Sequence, residues 1–236
     1  MKKDSVKKFL TIGIFAIAMA FLETIIVVYL RMMYYPKGFN FPLNPNMDSN
    51  IYSLEVIREF FTIVMLVTIA ILAAKKFHER FAYFMFSFAI WDIFYYIWLK
   101  VILDWPSSLF TWDILFLIPI PWLGPVAAPI ICSITMIVFS FLIINFEDKG
   151  KKIKIMKSEW ILLFSGGILM LYTWMKDYFN LIYKNGFLGD YFNLLTNIEF
   201  NQLVSSFIPV SYNWLIFILG EILMIIAIIR FYRREQ

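Results

Sequence analysis

The sequence predicts an all-α, polytopic integral membrane protein. It reads as a single transmembrane domain over residues 1–236, a six-helix bundle with short interfacial or re-entrant helices on its outer face. Three observations predict this. The chain is 61% hydrophobic and only 16% charged, well below the roughly 25% charged residues of soluble domains. Its apolar residues fall in runs long enough to cross about 30 Å of hydrocarbon at 1.5 Å per residue. The connecting segments between those runs alternate in charge.

The six spans cover about 9–31, 57–75, 81–103, 126–145, 159–178 and 213–232, leaving outer segments 32–56, 104–125 and 179–212. Fifteen of the 21 basic residues lie on one side, in the groups Lys2 to Lys8, Lys75 to Arg80, Lys149 to Lys157 and Arg230 to Arg234. The positive-inside rule then places both termini in the cytoplasm and the chain in the cell inner (plasma) membrane. Ala18-Met19-Ala20 has the form of a signal-peptide cleavage site, but the apolar run continues to Arg31, so the segment reads as a retained span. Many acids, among them Asp48, Glu55, Glu59, Asp104, Asp113, Asp177, Asp190 and Glu199, belong to the outer loops or outer span ends.

Two outer segments are long enough to carry structure. In DWPSSLFTWDILFLIPIPWLGPVAAPI, Ser107 or Ser108 could cap a short helix containing Trp112 and Asp113, before Pro119, Pro121, Pro125 and Pro129 interrupt regular hydrogen bonding. This piece reads as re-entrant, or as a surface helix held at the headgroups by Trp105, Trp112 and Trp122. Residues 180–212 mix apolar side chains with Asn193, Asn197, Glu199, Asn201 and Gln202, a pattern for an amphipathic helix over the outer face.

Charge inside the spans carries the functional argument. Asp92 and Glu221 fall near the midplane and Glu23 about one turn outward, three acids in three spans. A lipid-facing acid at the bilayer centre costs roughly 2.5–3.5 kcal/mol, so these groups are expected to face a bundle interior or a shared cavity. Asp92, Tyr96, Lys100 and Asp104 follow one another at i,i+4 and form one polar stripe. Lys100 lies about 12 Å beyond Asp92 along the axis, and Arg31 and Arg58 sit near the outer boundary, so the acids have no base at matching depth. Relay, ligand or general-acid roles are the expectation for Glu23, Asp92 and Glu221. A second layer of Glu59, Arg58, Tyr96, Lys100, Asp113, Tyr172 and Lys176 is expected to bind substrate in an outward vestibule, with Glu55 satisfying Arg58 from its own helix. Gly166-Gly167 could permit a close helix approach or a local bend, and Gly220, beside Glu221, could admit another helix or a ligand close to the backbone.

Several classes are excluded. There is no HExxH motif, no nucleotide loop, no basic nucleic-acid domain and no voltage-sensor helix; the single cysteine, Cys132, and single histidine, His78, offer no clustered metal site. No cofactor is expected. The motifs FLETIIVVYLR, WDIFYYIWLK and TWDILFLIPIPWLGPVAAP, within residues 20–130, resemble a group of small, functionally uncharacterised prokaryotic membrane proteins. That resemblance implies six spans, with Glu23, Arg31, Asp92, Lys100 and Asp113 among the marked positions, and it brings no activity with it. Three functions stay open. The first is a transporter or channel for protons, cations or a small solute. The second is an intramembrane enzyme acting on a lipid or isoprenoid, and the third a noncatalytic protein that pairs with a membrane partner or with its own copies.

Overall fold

The computed structural model describes residues 1–44, 48–189, 194 and 197–236. Asp190 and Asn193, counted above with the outer polar groups, lie outside them. Among the described residues the elements are α1 (Lys3–Tyr34), α2 (Ser49–Ala73), α3 (Phe77–Leu103), β1 (Trp112–Phe116), β2 (Trp122–Pro125), α4 (Ala127–Asp148), α5 (Lys157–Lys184), α6 (Ile198–Ser206) and α7 (Trp214–Glu235). Five helices, α1 to α4 and α7, are long and apolar enough to cross a membrane. Leu10, Ile14, Leu72 and Leu215 point outward and are more than half exposed, the arrangement expected when lipid is the solvent for a bundle's outer surface. α5 is also long, at 28 residues, but Ser165, Gly166, Gly167 and Thr173 dilute its apolar run.

α3 is the hub of one half, packing against α1, α2 and α4, while α5 and α7 pair as the other half and α4 joins the two through α7. At the end remote from the hairpin, aromatic side chains fill the space between these helices. Phe9 meets Phe86 edge-on at 4.7 Å and Tyr83 at 5.2 Å, and Phe139 meets Phe231 at 5.4 Å. At the same end Asp148, the last residue of α4, accepts from the Lys2 backbone N–H at 2.6 Å and the Ser5 hydroxyl at 2.7 Å. It thereby satisfies a donor at the start of α1 that the helix cannot satisfy itself.

α2 begins about two turns before its apolar run. Asp48 supplies the reason, since its carboxylate accepts from the Asn50 backbone N–H at 2.7 Å and caps the helix there. The helix expected near Trp112 and Asp113 is instead strand β1, paired antiparallel with β2 in the register Asp113↔Gly124 and Ile114↔Leu123. Trp112, Ile114 and Phe116 have the branched or aromatic character and period of two that suit a strand, and Pro119, Pro121 and Pro125 deny the following residues a helix. β2 lies on α5, where a Cβ on Gly124 would meet Leu115 Cδ1 at 3.1 Å and Trp174 Cδ1 at 3.2 Å. The amphipathic segment forms α6, capped by Asn197 on the Phe200 N–H at 3.1 Å, with Phe200 buried against Tyr178 and Phe187.

α5 and α7 cross at a pair of glycines. A Cβ on Gly166 would stand 2.6 Å from the Gly220 carbonyl oxygen, and one on Gly220 would stand 2.8 Å from the Gly166 oxygen. Backbone meets backbone, so neither helix can yield without shifting as a whole. Gly166→Ala is therefore expected to destabilise the protein by about 1–3 kcal/mol, read as a lower unfolding midpoint in detergent. Gly167→Ala, whose Cβ would meet only the flexible Met224 side chain at 3.8 Å, is the control; equal midpoints for the two variants would refute the crossing.

Candidate functional site

The site begins with a guanidinium between two helices. Arg58 donates from Nε and Nη2 to Glu55 Oε2 at 3.0 and 2.8 Å, one turn back on α2, and its Nη1 pairs with Glu23 Oε2 on α1. Thr62, one turn further along α2, donates to the other Glu23 oxygen. All three ionic side chains are largely buried. This corrects the expectation that no base matches Glu23 in depth. Because α2 starts at Ser49, Arg58 lies about 14 Å into it, close to the 16 Å or so that separates Glu23 from the end of α1 at Tyr34.

Two further contacts bind the hairpin to the helices. Glu59 Oε2 accepts from the Leu117 backbone N–H at 2.7 Å, satisfying a main-chain donor just past β1. Arg31, in the last turn of α1, donates from Nη2 to Asp113 Oδ1 at 3.0 Å, with both side chains buried. The guanidinium carbon also lies 3.7 Å from the Trp105 ring centroid and 4.7 Å from that of Phe39, contacts that hold the charge by its attraction to aromatic faces. Burial pushes the Asp113 carboxyl up to about 6, against the lowering effects of Arg31, the Ile114 backbone and the Tyr96 hydroxyl.

Between α1, α2, α3 and the hairpin these groups enclose a cavity of about 200 Å³. A single water needs only about 10–15 Å³ by this measure, so the space admits a small molecule or several waters. Its walls carry five carboxylates, Glu23, Glu55, Glu59, Asp92 and Asp113, and two guanidiniums, Arg31 and Arg58, together with Tyr34, Tyr35, Tyr95 and Trp91. Tyr95 lies in the fields of Arg31, Asp113, Arg58 and Glu59 at once. Asp92, eleven residues from the end of α3, accepts from the Ser133 hydroxyl on α4 at 2.8 Å.

The remaining expected residues lie elsewhere. Glu221 is not among the groups lining the cavity; it accepts from Thr135 on α4. Ser133 and Thr135 are two positions apart, about 200° around the helix, so α4 stands between Asp92 and Glu221. Cys132, in the arc between those positions, feels both carboxylates. The expected convergence of three acids on one pocket is thus corrected to Glu23 and Asp92 on one side of α4 and Glu221 on the other. Lys100 is half-exposed and pairs with Asp104 at 2.7 Å at the end of α3, away from the cavity, because the stripe from Asp92 leaves the bundle as the helix ends. Tyr96 is buried behind the cavity, close to Asp113. Tyr172 is exposed on α5 and Lys176, beside Asp177, also lies outside the cavity lining, while Thr173 bonds the Tyr212 hydroxyl at 2.8 Å.

At the opposite end His78 and Glu79 of α3 and Glu147 of α4 have ligand atoms within 4.8 Å of one another. His78 Nε2 lies 2.8 Å from Glu147 Oε2, and Lys76 pairs with the same carboxylate. Sequence reasoning missed this charged cluster, as it missed Arg31 as a cavity group, whereas Trp91 and Tyr95 belong to the aromatic wall that a lipid-directed enzyme would need and do line the cavity. The pairing of Arg31 with Asp113 across 82 positions has no local signal.

Fold and site together define a polytopic helical membrane protein with a charged cavity beneath a two-stranded hairpin. Comparisons with family models, curated proteins and solved structures returned no match.

Two predictions follow from the ion pairs. Arg58→Leu leaves Glu23 and Glu55 buried without their base, at an expected cost of about 3–5 kcal/mol; Glu23→Gln in the same chain should recover part of it. A double variant no more stable than the single one in thermal unfolding would sink the pairing. The second concerns pH. The folded protein binds the Asp113 proton more tightly than the unfolded chain between about 4 and 6, so this group's contribution to stability improves as pH falls through that window. The difference in midpoint between wild type and Asp113→Asn should change over that range and stay flat above about pH 7.

Proposed function

We propose that the protein is a transporter in the cell inner membrane whose hairpin end faces outward, with both termini cytoplasmic and α5 forming a sixth span. Support for the sixth span comes from the exposed apolar row Ile161, Phe164 and Ile168 on α5, a face that suits lipid. The observation that carries the functional reading is the excess of acid in one cavity: five carboxylates against two guanidiniums. Among the described residues Asp92 has a hydroxyl for a partner and no base. A cation or proton entering from the hairpin side would supply the missing positive charge, with Glu59 and Asp92 as its first ligands. The apolar packing of Phe9, Tyr83, Phe86 and Phe139 below Asp92 would be the barrier on the other side. Four of the five positions marked by the resemblance, Glu23, Arg31, Asp92 and Asp113, line this cavity.

That same packing favours a second reading. A pocket closed at its base suits an intramembrane enzyme that takes a lipid or isoprenoid from one side, using Asp92 as general acid.

Reconstitution in liposomes separates the readings. Transport predicts proton or monovalent-cation flux above that of empty vesicles from about pH 5 to 8, lowered by about an order of magnitude in Asp92→Asn and little changed in Glu221→Gln. Flux equal to empty vesicles throughout would refute it. A lipid species present in expressing cells and lost with Asp92→Asn would establish the enzyme instead.

A further inference from the structure

Arg31 and Trp91 each carry an unused donor. Both side chains are more than nine-tenths buried, both line the cavity, and among the described residues neither Arg31 Nη1 nor Trp91 Nε1 has a hydrogen-bond partner. Buried donors are rarely left so, because each forfeits its hydration without return. Arg31 is not free to turn away. Asp113 holds Nη2, and the Trp105 and Phe39 rings hold the guanidinium plane. Trp91 is likewise fixed, its ring packed against Phe88 at 5.4 Å and Tyr95 at 6.4 Å. A cation alone would satisfy the cavity's surplus carboxylates and leave these donors empty.

We infer that the cavity binds a small zwitterion, whose carboxylate or phosphate oxygens accept from Arg31 Nη1 and Trp91 Nε1 and whose ammonium group is received by Asp92 and Glu59. This rests on the reading of the cavity as a solute site and names the solute's chemical class. The two halves of the ligand answer two separate features of the walls. The donors come from the last turn of α1 and the middle of α3; the acceptors come from α3 and α2. Tyr95, in the fields of both Arg31 and Glu59, stands where the two ends of such a molecule would meet. A zwitterion also enters a low-dielectric cavity at less cost than an ion of either sign, because each of its charges meets its opposite there.

The test measures binding by quenching of tryptophan fluorescence in purified, detergent-solubilised protein. Glycine, beta-alanine and phosphoethanolamine are compared with their one-charge counterparts methylamine, ethanolamine, acetate and inorganic phosphate. At least one zwitterion is expected to bind about tenfold or more tightly than either of its halves, the worth of one charge-assisted hydrogen bond. Arg31→Gln should bring that zwitterion's affinity down to that of the amine alone, and Asp92→Asn down to that of the anion alone. If Arg31→Gln does not fold, Trp91→Phe, which keeps a ring and removes only the N–H, should still weaken the zwitterion several-fold and leave the amine unchanged. Adding phosphatidylethanolamine to the micelles tells a lipid headgroup, which competes with the soluble probe, from a free solute, which does not meet competition. Amines that bind as well as every zwitterion would overturn this inference and leave the cation site standing. Absence of binding by both amines and zwitterions, with no ion flux, would overturn the transport reading as well.

Discussion

A guanidinium buried between two carboxylates fixes how α2 meets α1. In a low-dielectric interior an unpaired charge is costly, and Glu23, Glu55 and Arg58 offset that cost for one another. The three must therefore stay at one depth, and with Thr62 they hold two helices that otherwise touch little. Once α2 is held there, Glu59, the next residue, is turned toward the hairpin, where it receives the Leu117 N–H. The wall of the cavity and the anchor of its cover are thus set by neighbouring positions on one helix.

The hairpin depends on the same economy of buried polar groups. Strand edges placed against a membrane bundle need partners for their main-chain donors, since lipid offers none. Glu59 provides one and the β1–β2 ladder provides others, while Asp113 brings its charge to Arg31. Polar side chains that line the cavity are therefore also the ones that hold its boundary. The groups that line the cavity and the strands that close it are only one bond apart.

Much of this was legible in the sequence, and the rest was not for identifiable reasons. The helices α1 to α4 and α7 announce themselves because apolar runs of that length have few other uses, and Asp92 announced a polar interior because an acid at that depth is costly. The glycines at 166 and 220 signalled a close approach, which the crossing of α5 and α7 bears out. The hairpin did not declare itself, since TWDILF reads equally as a short helix until Trp122 and Leu123 are known to pair with it. The place of Glu221 was lost because depth along an axis says nothing of rotation: Ser133 and Thr135 turn its site and that of Asp92 to opposite faces of α4. Arg58 was set too shallow because the start of an apolar run was read as the start of a helix, and Asp48 moves that start to Ser49.

The clasp of Asp148 on Ser5 and the Lys2 N–H bears on how the chain is made. The carboxylate that completes the start of α1 belongs to the far end of α4, so this corner cannot close until the ribosome has passed residue 148. Until then α1 can lie against α3, but its first turn lacks the carboxylate that completes it, so the start of the first helix takes its final form only when the end of the fourth is available.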